Sequence, residues 1–188
     1  MVKERADAAR NRRAILRATE DLLARRRPDE VTIEQVAAAA GVGKGTVFHR
    51  FGSRMGLMVA LMQERALGVA EKVENGPPPL GPGAPPRERL LAFLTEIVAV
   101  VGRNKGLLAA LEQEVAPRVH RDDNPVYLFW HGHISELVAA ARPGLDAPLL
   151  ADLLLAGLHA EPILRLLERG ETERLAAGLR LLAGGVLD

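Results

Sequence analysis

Residues 32–54 read TIEQVAAAAGVGKGTVFHRFGSR, and this stretch decides the fold. It holds two short helical patterns on either side of a glycine turn. Thr32 and Gln35 form a capping box: the hydroxyl takes the Gln35 amide, and the Gln35 side chain reaches back to the Thr32 amide. Ile33, Val36, Ala37 and Ala40 then share one apolar face. Gly41 is placed to stop this helix, because only a residue without Cβ adopts the left-handed conformation freely. After Gly41-Val42-Gly43 the helical pattern resumes from Lys44 to Phe51. Val47 and Phe51 fall inward there, while Lys44, Thr46, His49 and Arg50 fall outward. Ala37 supplies a small residue where the two helices cross. Ser53 caps a longer helix from Arg54 to about Glu74, with Leu57, Met58 and Leu61 on its inner face.

Working outward, Ile15, Leu16, Thr19, Leu22 and Leu23 form a stripe over residues 10–26, which predicts an amphipathic helix ended by Pro28. Two short helices joined by a tight glycine turn, behind a longer helix, make a helix-turn-helix. Such a unit lays its second helix in the DNA major groove with that helix's N-terminus toward phosphate. Residues 75–86, NGPPPLGPGAPP, contain six prolines and three glycines and predict a loop. Beyond it, a helix carrying Leu90, Phe93, Leu94, Ile97 and Val101 is expected to end near Gly102, with a shorter one over about 106–115. Asn124 and Pro125 open another. Asp146 opens a leucine-rich helix running to about Arg169 with a kink at Pro162, and a last helix covers about Thr172 to Leu182. The expectation is an all-α chain of about nine helices with no strand. It divides into a head at 1–53, a connecting helix at 54–74 and a body at 75–188.

The composition of the 188 residues narrows the chemistry. There is no cysteine, which excludes disulfides, thiolate metal sites and cysteine nucleophiles. The charged opening MVKERADAARNRR predicts no signal peptide, no apolar run reaches membrane-spanning length, and a cytoplasmic, nucleoid-associated protein is expected. The net charge of +1 hides an asymmetry. Residues 1–54 hold 12 basic and 7 acidic side chains, while the remainder is net negative by 4. A basic head on an acidic body suits a nucleic-acid partner. GVGKGT at 41–46 fails as a phosphate-binding loop, since Gly45 stands where Ser or Thr must follow the lysine. HExxH is absent too, which counts against an enzyme. His131 and His133, two apart on a helix, point in nearly opposite directions and with His120 make a poor metal site. No metal and no cofactor are expected.

The run TIEQVAAAAGVGKGTVFHRFGSRMGL resembles the DNA-binding signature of the TetR (tetracycline-repressor) family of bacterial transcriptional regulators, with the likeness running from Ala14 to about Leu61. Gly41, Val42, Lys44, Gly45, Thr46, Val47 and Phe51 fit that pattern. Gly43 departs from it where Ser often caps the helix, and Phe48 where Tyr usually reaches phosphate. Arg50 stands where His or Tyr is common, and Ser53-Arg54 matches the family's start of the fourth helix. The resemblance implies a sequence-specific, homodimeric repressor released from a palindromic double-stranded operator by a small-molecule effector. The alternative is a DNA-binding regulator without such an effector, controlled by a protein partner or acting architecturally. Expected DNA contacts are Thr32, Lys44, Gly45, Thr46, Phe48, His49, Arg50 and Arg54, joined by Arg10, Arg12 and Arg13 of the basic arm. Lys44 and His49 are expected at base edges. Phe93, Tyr127, Trp130 and His131 are candidates for an effector pocket, and Leu154, Leu158, Leu175 and Leu179 for a dimer interface.

Overall fold

The computed structural model describes residues 2–113 and 124–187, and these form nine α-helices with no strand. They are α1 (Val2–Leu23), α2 (Ile33–Ala40), α3 (Lys44–Phe51), α4 (Arg54–Asn75), α5 (Pro86–Gln113), α6 (Pro125–Ala141), α7 (Ala147–Ala156), α8 (Glu161–Glu168) and α9 (Thr172–Leu187). The chain divides into two compact units. The head runs through Glu64 and includes the stretch of α5 from Gly106; the body takes Arg65–Lys105 and the chain from Pro117 onward. His120 and the segment beyond Gln113 expected to finish a short helix lie outside the described residues.

In the head, the capping box forms as written in the sequence. Thr32 Oγ1 accepts from the Gln35 amide at 3.3 Å, and Gln35 Oε1 accepts from the Thr32 amide at 3.1 Å. Gly41 has φ +68° and turns the chain out of α2, while the Val42 amide donates back to the Ala37 carbonyl at 3.0 Å. Ser53 Oγ accepts from the Gly56 amide at 2.9 Å and starts α4. Ile15, Leu16, Val36, Val47, Leu57 and Leu61 close the core beneath these turns, all at most 3% exposed. Burying such side chains fully stabilises the head by about 1.5–3 kcal/mol each.

The body departs from the sequence expectation at three places. First, α5 does not end near Gly102 but continues to Gln113. A Cβ on Gly102 would stand 3.1 Å from Thr172 Oγ1 and 3.3 Å from its methyl. The glycine is there so that α9 can approach, not to break α5. The polar run after it is satisfied by Arg65, whose guanidinium donates to the Arg103 carbonyl at 3.0 Å and to buried Asn104 Oδ1 at 2.7 Å. Second, the leucine-rich helix is two helices, α7 and α8, separated by a turn at Gly157–His159. Pro162 has no amide hydrogen and fits only a first helical turn, so a new helix starts just before it. The carbonyl of Ala160 then receives the Ile163 and Leu164 amides at 2.9 and 3.0 Å. Third, α9 runs past Leu182 to Leu187, burying Ala183 and Gly184. Arg142 Nη1 donates to the Val186 carbonyl at 3.0 Å and tethers its last turn. The body core is built on Phe93, Leu94, Ile97, Ile134, Leu155 and Leu167, each with essentially no exposure. Among the described residues no single helix is long and apolar enough to cross a membrane, and no three potential metal ligands cluster.

Candidate nucleic-acid interface

Helix α3 is two turns long and has two sharply different faces. Val47 has no exposure and Phe51 is half-buried, whereas Lys44, Gly45, Phe48, His49 and Arg50 are exposed and Thr46 is half-buried. The N-cap is Gly43, which offers no side-chain acceptor; only its carbonyl is used, by the Thr46 amide at 2.9 Å. The first amides of α3 are therefore left for an acceptor from outside, with the positive end of the helix dipole behind them. Gly45 is exposed in this same turn, and a Cβ there would meet nothing within 4 Å. No described residue requires a glycine at this position, and its small size leaves the turn open to a close-approaching backbone.

The basic side chains of the head divide by what they already hold. Arg50 and His49 are exposed at the last turn of α3 and have no hydrogen bond or ion pair to the described residues. Arg13 is exposed in the same way. Arg54, expected at phosphate, is half-buried and donates from Nε to the Val31 carbonyl at 2.9 Å and from Nη2 to the Pro28 carbonyl. It ties the start of α4 to the connection between α1 and α2. Arg12 lies 5.9 Å from the centroid of the Phe51 ring and pairs with Glu64 at 3.3 Å. Arg10 pairs with Asp7 one turn away. Thr32 is exposed, and its hydroxyl oxygen is occupied by the Gln35 amide, leaving its proton to be donated.

Lys44 is not free. Its ammonium pairs with Glu34 in the first turn of α2 and stands 5.6 Å from the centroid of the Phe48 ring. Lys44 is the main cause holding the Glu34 carboxyl below the ordinary carboxylate range, followed by the Glu34 amide, with Thr32 a smaller contributor. Sequence reasoning passed over Glu34. Its signal was position: it sits second in α2, and Lys44 sits first in α3, with a single tight turn between the two helices.

In the body, the four pocket candidates lie on α5 and α6. Phe93 is fully buried, edge-on to His133 at 4.8 Å and to Phe129 at 6.3 Å between ring centroids. Tyr127 Oη donates to Asp152 Oδ1 at 2.6 Å, and His131 Nε2 stands 3.6 Å from the same oxygen. Trp130 is buried, and its Nε1 and the His133 Nε2 have no partner among the described residues. Burial, and secondarily the nearby charge of Arg89, holds the His133 pKa below its ordinary 6.5, against a smaller opposing effect of Glu136. None of the four candidates lines the open apolar cavity of about 500 Å³ in this unit. That cavity lies among α7, α8 and α9, with Leu150, Leu153, Ile163 and Leu182 on its walls. Leu154, Leu158, Leu175 and Leu179 line it as well, but Leu158, Leu175 and Leu179 are buried in the protomer's own core and Leu154 is half-buried. Their neighbours Leu149, Leu153, Leu181, Leu182 and Val186 are left outward, at 41–78% exposure.

Comparison with known proteins bears on the head first. Residues 15–61 match the family model of bacterial regulatory proteins, tetR family. No protein of curated function matches the sequence. Solved structures match along almost the whole chain. A protein from Rhodococcus sp. described as a TetR-family transcriptional regulator is 22% identical, with TM-score 0.66 over 96% of this chain and 100% of its own. The TetR transcription regulatory protein from Mycobacterium vanbaalenii is 27% identical, with TM-score 0.58 over 88% of this chain and 97% of its own. The regulator FadR from Bacillus subtilis, solved with stearoyl-CoA, is 15% identical, with TM-score 0.64 over 90% of this chain and 96% of its own.

Proposed function

We propose that the chain is a TetR-family bacterial transcriptional regulator, on the match of its residues 15–61 to that family's model, and that it is a homodimeric repressor released from a palindromic operator by a small molecule. The observation that carries the DNA-binding part is the outer face of α3. Its side chains point away from a closed core, its first amides lack a capping side chain, and two unpaired basic groups stand at its last turn. In this reading α3 enters the major groove with Lys44 and His49 at base edges. Thr46 touches a thymine methyl or phosphate, and Phe48 packs against the sugar-phosphate backbone. Arg50 and Thr32 hold phosphate, as do the first amides of α3 beside Gly45. Arg54 acts behind this surface by fixing α4, and among the arm residues Arg13 takes the phosphate role before the already paired Arg10 and Arg12.

Two features of the body support the rest. The outward Leu149, Leu153, Leu181, Leu182 and Val186 give α7 and α9 an apolar face suited to a second copy, whose burial yields roughly 25 cal/mol per Å². The buried Trp130 Nε1 and His133 Nε2 have no partner among the described residues, and His133 lies between the rings of Phe93 and Phe129; such groups suit an apolar effector carrying a hydrogen-bond acceptor. Acyl thioesters are the first class to screen, since FadR, of similar fold, binds stearoyl-CoA. Helix α4 carries residues of both units and is the route for coupling. A hundredfold loss of occupancy requires the effector to discriminate between two states by about 2.7 kcal/mol.

The test is fluorescence anisotropy on duplexes tiled across the gene's own upstream region, with excess non-specific competitor. Competitor-resistant binding to one palindromic tile, at two protomers per site, is expected, and acyl thioesters are then titrated against it. Binding that the competitor removes from every tile overturns the reading.

A further inference from the structure

The DNA contacts above make no use of Glu34, yet it is built into the proposed interface. Its carboxylate is held by Lys44 across the turn. Lys44 is held from the other side by the Phe48 ring at 5.6 Å. Both members of the pair are more than half exposed, so donor and acceptor sit side by side facing outward. A lysine fixed in this way is no longer a loose charge that any phosphate can capture. A carboxylate beside it repels phosphate and needs a donor from whatever docks there.

Resting on the DNA-binding reading, we propose that Glu34 determines base specificity: with Lys44 it forms a donor–acceptor pair that reads one G·C base pair in each half-site. In the major groove guanine presents O6 and N7 as acceptors, and its paired cytosine presents the N4 amino group as a donor beside them. Lys44 donates to guanine and Glu34 accepts from cytosine. A thymine in place of that cytosine sets O4 and a methyl group against the carboxylate. Glu34 also penalises every sequence that offers it no donor, which is discrimination by repulsion as well as attraction.

The experiment selects binding sites from a randomised duplex library with the full-length wild type, Glu34→Gln and Glu34→Asp, and repeats the binding over several salt concentrations. The wild type is expected to enrich one G·C pair in each half-site. Glu34→Gln is expected to lose that preference by about ten- to a hundredfold and to drift toward A·T, because a glutamine amide pairs with adenine N6 and N7. It binds random duplex more tightly, and its salt slope steepens by about one per protomer as the released Lys44 reaches a phosphate. Glu34→Asp, which keeps the carboxylate, retains the G·C preference. Glu34→Gln selecting the wild-type site with an unchanged slope overturns the inference and leaves the regulator reading standing. So does Glu34→Gln weakening on all duplexes alike, which is the mark of a merely structural role. A wild type that selects no sequence overturns both.

Discussion

In the head every turn is made by a residue that can be pointed to. Thr32 and Gln35 open α2, Gly41 with φ +68° ends it, and Ser53 opens α4. In the body three expected helix boundaries moved. Gly102 lies inside α5 because α9 needs its missing Cβ, and Gly184 lies buried inside α9. Helices of eight residues are short enough that a cap outweighs propensity, so their ends are local events. In long apolar helices the contacts made by each turn outweigh the cost of about 1 kcal/mol for a glycine. The comparison extends to surfaces. The head leaves outward a mixed polar face, while the body leaves outward a row of leucines.

The largest test of that difference is the double substitution Leu153→Glu, Leu182→Glu. Both side chains are more than 60% exposed, so the protomer stays folded, but sedimentation should show monomers. Operator affinity should fall by at least about a hundredfold as two-headed binding is lost. A variant that remains dimeric places the interface elsewhere. Next in size, Gly102→Leu drives a side chain into Thr172 and should destabilise the body by about 1–3 kcal/mol in urea unfolding. Gly68→Ala, where a Cβ meets nothing within 4 Å, should stabilise by up to about 1 kcal/mol. Equal signs for the two would remove packing as the reason α5 runs through.

A second pair of glycines separates fold from function inside the head. Gly41→Ala forces a side chain into the left-handed region and should cost about 1–2 kcal/mol in thermal unfolding. Gly45→Ala lies in open space. It should leave stability unchanged or improved and weaken operator binding in anisotropy; unchanged binding would take Gly45 out of the interface. The smallest expected effect is a pH dependence confined to the body. The His133 pKa is lowered on folding, mainly by burial, so the unfolded chain binds its proton more readily. Stability from this residue is complete above pH 6.5 and is lost as pH falls below it toward the lower folded value. Comparing urea midpoints of wild type and His133→Gln across this range should show a shallower slope in the variant.

The candidate site was legible as residue types but not as partnerships. The outward set on α3, from Lys44 to Arg50, follows from helical period alone. That Arg54 is spent on the carbonyls of Pro28 and Val31 does not, since those groups are far apart in the chain and a guanidinium reaches several ways. The same holds for Glu34 and Lys44, and for Arg12 over Phe51. In the body the leucines over 149–167 do not tell which of them faces where, because the break at Gly157–His159 resets the helical phase.

By itself, the sequence determined the all-helical class and the helix-turn-helix whose residues 15–61 match the tetR family model, because caps, glycine conformations and short apolar periods act within a few residues. Only the tertiary structure decided the length of α5, the division of α7 from α8 and which basic groups of the head remain unpaired. Those depend on free energies between groups distant in the chain: a missing Cβ that admits α9, a proline that must begin a turn, and carbonyls that claim an arginine before any phosphate can.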